Sequence, residues 1–208
     1  MDSIDWALIK RLSVMPLVRL RALYEQAKLV TGLTGDAAEL GTYRGGSVIL
    51  IANALSHKRV YGFESFEGLF NLSAADKLRT GRRTRGHALG DFAITDEKER
   101  NAIRHRMRES GVCLLEGRFS ITSKLVADRE FCFAHFDGDT YLSAKEFIEF
   151  FCPRLVSGGR LVFDDFRWEA TPGVEQALIE AFSNSNSEII PLEHNQIVIV
   201  KNHQPHQN

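Results

Sequence analysis

The chain has 208 residues and a formal net charge of −1, enough for one α/β domain with a sizeable core and short for two. Its composition, 44% hydrophobic and 25% charged, is that of an ordinary globular protein rather than a disordered or fibrous one. Nothing in that balance calls for nucleic acid or an anionic membrane as partner.

The first residues, "MDSIDWALIKRLSVMPLVRL", carry acids early and lack a long apolar run. They read as neither signal peptide nor membrane span, so a cytoplasmic protein is expected. Cys113, Cys132 and Cys152 lack metal-type spacing and read as reduced core thiols. Apolar residues recur at helical spacing through Ile4–Leu12 and Leu17–Leu29, ending near Gly32. These helices, within residues 1–32, could pack over their own sheet or across a homodimer.

"GDAAELG" gives a first strand entering a glycine turn, and "SVILIANALSH" the helix that follows. "RVYGFESF", "VCLLEGRF", "FCFAHFDGD" and "GRLVFDDF" are the second to fifth strands. Helices are expected at Thr95–Ser110, Ile121–Ala127 and Ser143–Leu155, the last ending before "SGG". Pro172 opens a further helix, and "SEIIPLEHNQIVIVK" reads as a closing strand pair turning at His194-Asn195. The alternation predicts a doubly wound, mostly parallel α/β sheet with an antiparallel last strand. Residues 1–202 read as a single domain, and 203–208 as a disordered tail. "SAADKLRTGRRTRGHALGDF" fits no regular element and is long for a connection. Its arginines (Arg79, Arg82, Arg83, Arg85) read either as solvated charge or as part of an anion-contacting lid.

The turn "AELGTYRGGS" spaces its residues E-x-G-x-x-x-G-G, unlike the G-x-G-x-x-G of dinucleotide folds. S-adenosylmethionine brings only a carboxylate to such a helix start, and a wider turn can hold it. Glu64 ends the second strand, where an acid commonly takes two ribose hydroxyls. Asp137 and Asp139 follow the fourth strand, Asp164 and Asp165 the fifth. If those strands are neighbours, Asp137 stands about 5 Å from Asp164. Three carboxylates with room for water suit Mg²⁺ or another hard divalent cation. Failing that, one aspartate is expected to be protonated or to pair with Arg160 or Arg167. His135, inside an apolar strand, reads first as a satisfied core residue, though it, Asp137 and Asp139 all stay open as general base.

These pieces together resemble the macrocin O-methyltransferase-like family of class I S-adenosylmethionine-dependent methyltransferases. The matching stretches are "GDAAELGTYRGGS", "VYGFESFEGL", "GDFAITDEKE", "LLEGRFSIT", "FDGDTYLSA", "PRLVSGGRLVFDDF" and "GVEQAL", covering most of Leu17–Leu178. The resemblance implies a seven-stranded Rossmann-like sheet and methyl transfer from S-adenosylmethionine to a hydroxyl of a sugar or glycosylated metabolite. It implies that Glu39, Gly41, Thr42, Tyr43, Gly45, Gly46 and Ser47 hold the methionine end of the cofactor. Glu64, with Ser65 beside it, would hold the ribose, and Gly117, Arg118 and Phe119 would lie near the adenine. Asp137, Asp164 and Asp165 match the divalent-metal positions, and Asp137, beside the cofactor, is placed to take the acceptor's proton. Residues 67–94 are expected to cover the acceptor. Glu64 stands where the family usually has aspartate, and Phe70 where a proline commonly follows "GL". Two rival readings are a catechol-type aromatic acceptor and a non-catalytic nucleotide-binding module whose acids only cap helices.

Overall fold

The computed structural model describes residues 4–77 and 86–202. Arg79, Arg82, Arg83 and Arg85 of the basic segment, and the tail 203–208, lie outside the described residues.

Two short helices come first, α1 (Trp6–Leu12) and α2 (Leu17–Lys28). Asp5 caps α1 by accepting from the Leu8 amide at 2.9 Å. Leu20, Leu23 and Ala27 are fully buried in α2, spaced at three to four residues as a helix face requires. They pack onto the chain's own α3 and sheet.

The alternating body follows: β1 (Asp36–Leu40), α3 (Gly46–Ala54), β2 (Val60–Glu64), α4 (Glu97–Glu109), β3 (Val112–Glu116), α5 (Phe119–Thr122), β4 (Phe131–Phe136), α6 (Tyr141–Arg154), β5 (Leu155–Phe163) and α7 (Pro172–Phe182). The hairpin β6 (Glu188–Pro191) and β7 (Ile197–Val200) closes the sheet. The seven strands run in the order β3-β2-β1-β4-β5-β7-β6. β1 to β5 pair in parallel, and β7 is antiparallel to both of its neighbours. This is the class I methyltransferase arrangement, in which the winding crosses back over the sheet between β3 and β4 so that β1 and β4 lie side by side. The hairpin turns where the sequence places it, with His194 and Asn195 both at left-handed φ.

Successive strand residues serve opposite cores, as the strand period demands. Ala37, Phe133, Val162 and Val198 face α1 to α4. Ala38, Ala134, Phe163 and Ile199 face α5 to α7. The second core is unusually aromatic: Phe63, Phe119, Phe131, Phe147 and Phe151 meet with ring centroids 4.6–6.3 Å apart. Such edge and offset contacts add about 1 kcal/mol each beyond area burial.

Three expectations are corrected. The helix before the fifth strand ends ahead of "SGG", at Arg154, as expected, but the fifth strand does not wait for "GRLVFDDF". β5 begins at Leu155, directly after α6, and absorbs the glycines in a register shift against β4, with Gly158 at φ +75°. The stretch 121–127 is one α-helical turn, α5, continued by a 3₁₀ turn over Ser123–Val126. Cys113 is exposed rather than a core thiol, because β3 is an edge strand whose outer face meets solvent; Cys132 is buried and Cys152 half-buried.

Candidate active site

Parallel strands bring their C-terminal ends to one rim, and ligands bind there. A cavity of about 390 Å³ opens on that rim. Gly41, Tyr43, Glu64, Ser65, Gly117 and Phe119 line one end, beyond β1 to β3. Asp137, Asp139, Asp164, Asp165, His87 and Arg19 line the other.

The glycine turn is shaped by packing as much as by any ligand. Gly41 has φ +87°, and a β-carbon there would overlap the Asp137 carbonyl, so the chain leaving β4 can approach the end of β1 this closely only because residue 41 lacks one. Gly45 is left-handed at the start of α3, and a β-carbon on Gly46 would press on the backbone of α1. Thr42, Gly45, Gly46 and Ser47 do not line the cavity. They form its supporting turn.

Glu39 is fully buried and does not reach the cavity wall. Its Oε1 lies 2.6 Å from His135 Nδ1 on the paired β4 position. His135 is therefore the buried core residue that its apolar strand suggests, held by a carboxylate. Glu64 does line the cavity, with Oε2 accepting from the Tyr43 amide at 2.6 Å and Oε1 from the Phe66 amide at 2.8 Å. Burial raises its carboxyl above the ordinary range, and those amides pull it back. Tyr43 and Phe66 both sit at positive φ, strain of about 1–3 kcal/mol each that the surrounding structure holds in place. Arg118 lies outside the cavity lining, stacked on Phe70 and bonded to Glu67 at 3.1 Å.

At the acidic end, Phe136 pairs with Phe163, which sets the next residues, Asp137 and Asp164, side by side. The ladder continues through both: the Asp137 amide donates to Leu40 and the Asp164 amide to Phe136. Asp165 then takes φ +60°, turning its carboxylate back toward the cluster. Asp137, Asp164 and Asp165 each offer an oxygen within 4.8 Å of the others. Burial, and then the charges of Asp164, Asp139 and Asp165, push the Asp137 carboxyl well above its usual range. Asp139 is raised well above it too, by burial and then Asp165. Asp164 is pushed up to about 6 by burial and Asp165, with Arg19 and His135 opposing.

The cation that meets these acids is not Arg160 or Arg167. Arg160 donates to Gln26 at 2.7 Å, and Arg167, left-handed and mostly exposed, reaches Glu175. Arg19 of α2 fills that role, its Nη1 donating at 2.8 Å to both Asp164 Oδ2 and Asp165 Oδ1. The signal was present in the sequence. Arg19 stands four residues before Leu23 and eight before Ala27, on the buried stripe, where a charge needs a partner.

Within 67–94, Gly68, Leu69, Phe70, Asn71, His87 and Phe92 line the cavity. The described parts of this segment are well anchored. Asn71 Oδ1 accepts from Thr140 Oγ1 at 2.8 Å, and Asp76 Oδ1 accepts from the Tyr141 amide at 2.7 Å, both at the start of α6. The segment's two ends also bond to each other through Leu69, Gly90 and Asp91. His87 packs at a tilt against Phe92 and lies between Asp91 and Asp139, 3.6 and 3.8 Å away.

Residues 5–200 match the family Macrocin-O-methyltransferase (TylF). The 8-demethyl-8-(2,3-dimethoxy-alpha-L-rhamnosyl)-tetracenomycin-C 4'-O-methyltransferase of Streptomyces olivaceus is 32% identical over 68% of this chain and 57% of its own. The Mycinamicin III 3''-O-methyltransferase of Micromonospora griseorubida is 24% identical over 68% of this chain and 59% of its own. The matches to these curated relatives thus cover less than two thirds of their length. Among solved structures, the calicheamicin methyltransferase CalS11 superimposes with a TM-score of 0.71 at 20% identity, covering 96% of this chain and 94% of the other. The O-methyltransferase NovP gives 0.70 at 22%, covering 92% and 83%. Among the described residues, no helix is long and apolar enough to cross a membrane.

Proposed function

Because the chain belongs to the macrocin O-methyltransferase (TylF) family, we propose that it moves a methyl group from S-adenosylmethionine to a hydroxyl of a sugar or other polyol-bearing small molecule, using a divalent cation. The observation that carries this reading is one cavity with two unlike ends, Gly41, Tyr43 and the half-buried Glu64 at one and three converging aspartates at the other. The names of the curated relatives, two of them methyltransferases numbered at 4' and 3'' positions, support a sugar-linked acceptor.

The residues present fit both groups. Glu64 is fixed by two amides yet keeps lone pairs toward the cavity, as a carboxylate binding vicinal ribose hydroxyls must. Phe119 lies at the same end, between Phe63 and Phe151, and offers an aromatic wall to a base. S-adenosylmethionine supplies a methyl group on a positively charged sulfur. At the other end Asp164 Oδ1 is buried without a hydrogen-bond partner, an orphan acceptor suited to a hard cation. Asp137, Asp164 and Asp165 would hold that cation, which would lower the acceptor hydroxyl's pKa and orient it.

The oxygen–carbon bond forms as the carbon–sulfur bond breaks, and the hydroxyl proton passes to Asp137. Burial and the neighbouring aspartates hold the Asp137 carboxyl well above its ordinary range. Positive charge nearby, a divalent ion and the sulfonium, would favour the ionised form that a base needs. Leu40, Phe63, Phe92 and Trp168 give the cavity an apolar wall. Segment 67–94 is the proposed acceptor cover.

The test is a panel of glycosides and catechols incubated with S-adenosylmethionine, with Mg²⁺ or with EDTA, and read by mass spectrometry. A one-methyl mass gain on glycosides that depends on Mg²⁺ is expected. Gain on catechols alone would move the acceptor to the aromatic class. Cofactor binding without transfer to any acceptor would favour a non-catalytic module.

A further inference from the structure

We propose that Arg19 is a tethered cation that competes with a divalent ion for Asp164 and Asp165, so that ion binding and the Arg19 bridge exclude each other. The inference rests on the divalent reading of the aspartate triad. Its basis is the way one nitrogen is used. Arg19 commonly would meet carboxylates with a two-nitrogen fork; here the single Nη1 bridges two different carboxylates, 2.8 Å from each. Those carboxylates belong to two of the three residues whose oxygens converge.

The bridge leaves polar atoms unpartnered on both sides. Arg19 Nε and Asp164 Oδ1 are both buried with no hydrogen-bond partner. A permanent structural ion pair in a buried site is held by satisfying those remaining positions, and this one does not. Burial works against the guanidinium's charge, and the two aspartates outweigh it. Charge counting gives Arg19 a purpose. Asp137, Asp139, Asp164 and Asp165 crowd one cavity end, where repulsion between ionised carboxylates is strong. His87 Nε2 lies 3.8 Å from Asp139. Arg19 keeps Asp164 and Asp165 together and aimed before an ion arrives. Its positive charge then opposes the ion, keeping the site exchangeable.

Arg19 is thus a positioning residue whose removal tightens ion binding rather than weakening it. Mn²⁺ titration followed by the electron paramagnetic resonance signal of the free ion reads this directly, without turnover. Arg19→Met and Arg19→Gln are expected to bind Mn²⁺ at least about tenfold more tightly than the natural chain, because a nearby positive charge is lost. Arg19→Lys, which keeps the charge, is expected to stay within about threefold of it. The glutamine variant retains a hydrogen-bond donor and carries the test if the methionine variant does not fold. Unchanged or weaker binding in the neutral variants, with the natural chain binding Mn²⁺, overturns the role of Arg19 and leaves the divalent reading standing. If neither the natural chain nor any variant binds Mn²⁺, both fall.

Discussion

A β-carbon on Gly41 would overlap the carbonyl oxygen of Asp137, so the same residue sets the turn's conformation and the position of the proposed base. Gly41→Ala is expected to cost about 2 kcal/mol or more, because it combines a left-handed φ with a backbone clash; thermal unfolding measures it. Asp137→Asn keeps the shape and removes the base. Turnover is expected to fall at least about 100-fold while S-adenosylmethionine binding by calorimetry stays within about threefold. Asp137, Asp139 and Asp164 hold protons more tightly in the native chain than their ordinary value of 3.8 implies, Asp164 up to about 6. The contribution of Asp164 to stability is therefore complete below about pH 4 and is lost as pH rises through about 6. In EDTA, the urea midpoint of the natural chain should drop relative to that of Asp164→Asn across that window; a parallel course for the two would contradict it. Much of this was legible. Asp137, Asp164 and Asp165 stand at strand ends, and strand order alone brings the ends together. The identity of their cation was not, because the likelier-looking partners, Arg160 and Arg167, are near in sequence whereas Arg19 arrives from a helix 145 residues away from Asp164. Only its place on a buried stripe gave a sign.

At the scale of elements, the rim works because turns, not strands, aim its side chains. Positive φ at Tyr43, Phe66, Asp139 and Asp165 bends the chain just past β1, β2, β4 and β5. No propensity marks those residues in advance, since non-glycine left-handed backbone is set by what surrounds it. The five parallel strands were readable as apolar runs punctuated by glycine or acid. The start of β5 was not, because "SGG" normally stops a helix and here is taken up as a register shift within a strand. The proposed acceptor cover depends on a few polar contacts at the mouth of α6. Asp76 accepts from the Tyr141 amide and from the Ser73 amide and hydroxyl. Asp76→Ala removes all three bonds and is expected to raise the acceptor KM about tenfold or more, with cofactor affinity unchanged. Steady-state kinetics against acceptor and cofactor separately would show it; equal loss for both would mean that the segment is a general support instead.

For the molecule as a whole, the sheet separates two tasks that one cavity then joins. β1 to β3 carry the glycine turn, Glu64 and Phe119 toward the proposed cofactor end, and β4 and β5 carry the aspartates. The side-by-side placement of β1 and β4 is what brings the two ends into one cavity. Packing fixes that geometry through fully buried strands such as Phe131–Phe136 and the phenylalanine cluster behind them. The acceptor was the least legible feature, since part of the segment over the cavity lies outside any repeating pattern. The account stands on a divalent cation shared by Asp137, Asp164 and Asp165. The most direct measurement is anomalous diffraction from crystals grown with S-adenosylhomocysteine and soaked in Mn²⁺. One strong peak among those three carboxylates, with Arg19 moved off them, is the predicted result. A map without that peak, with Arg19 still bridging Asp164 and Asp165 at high Mn²⁺, would contradict it.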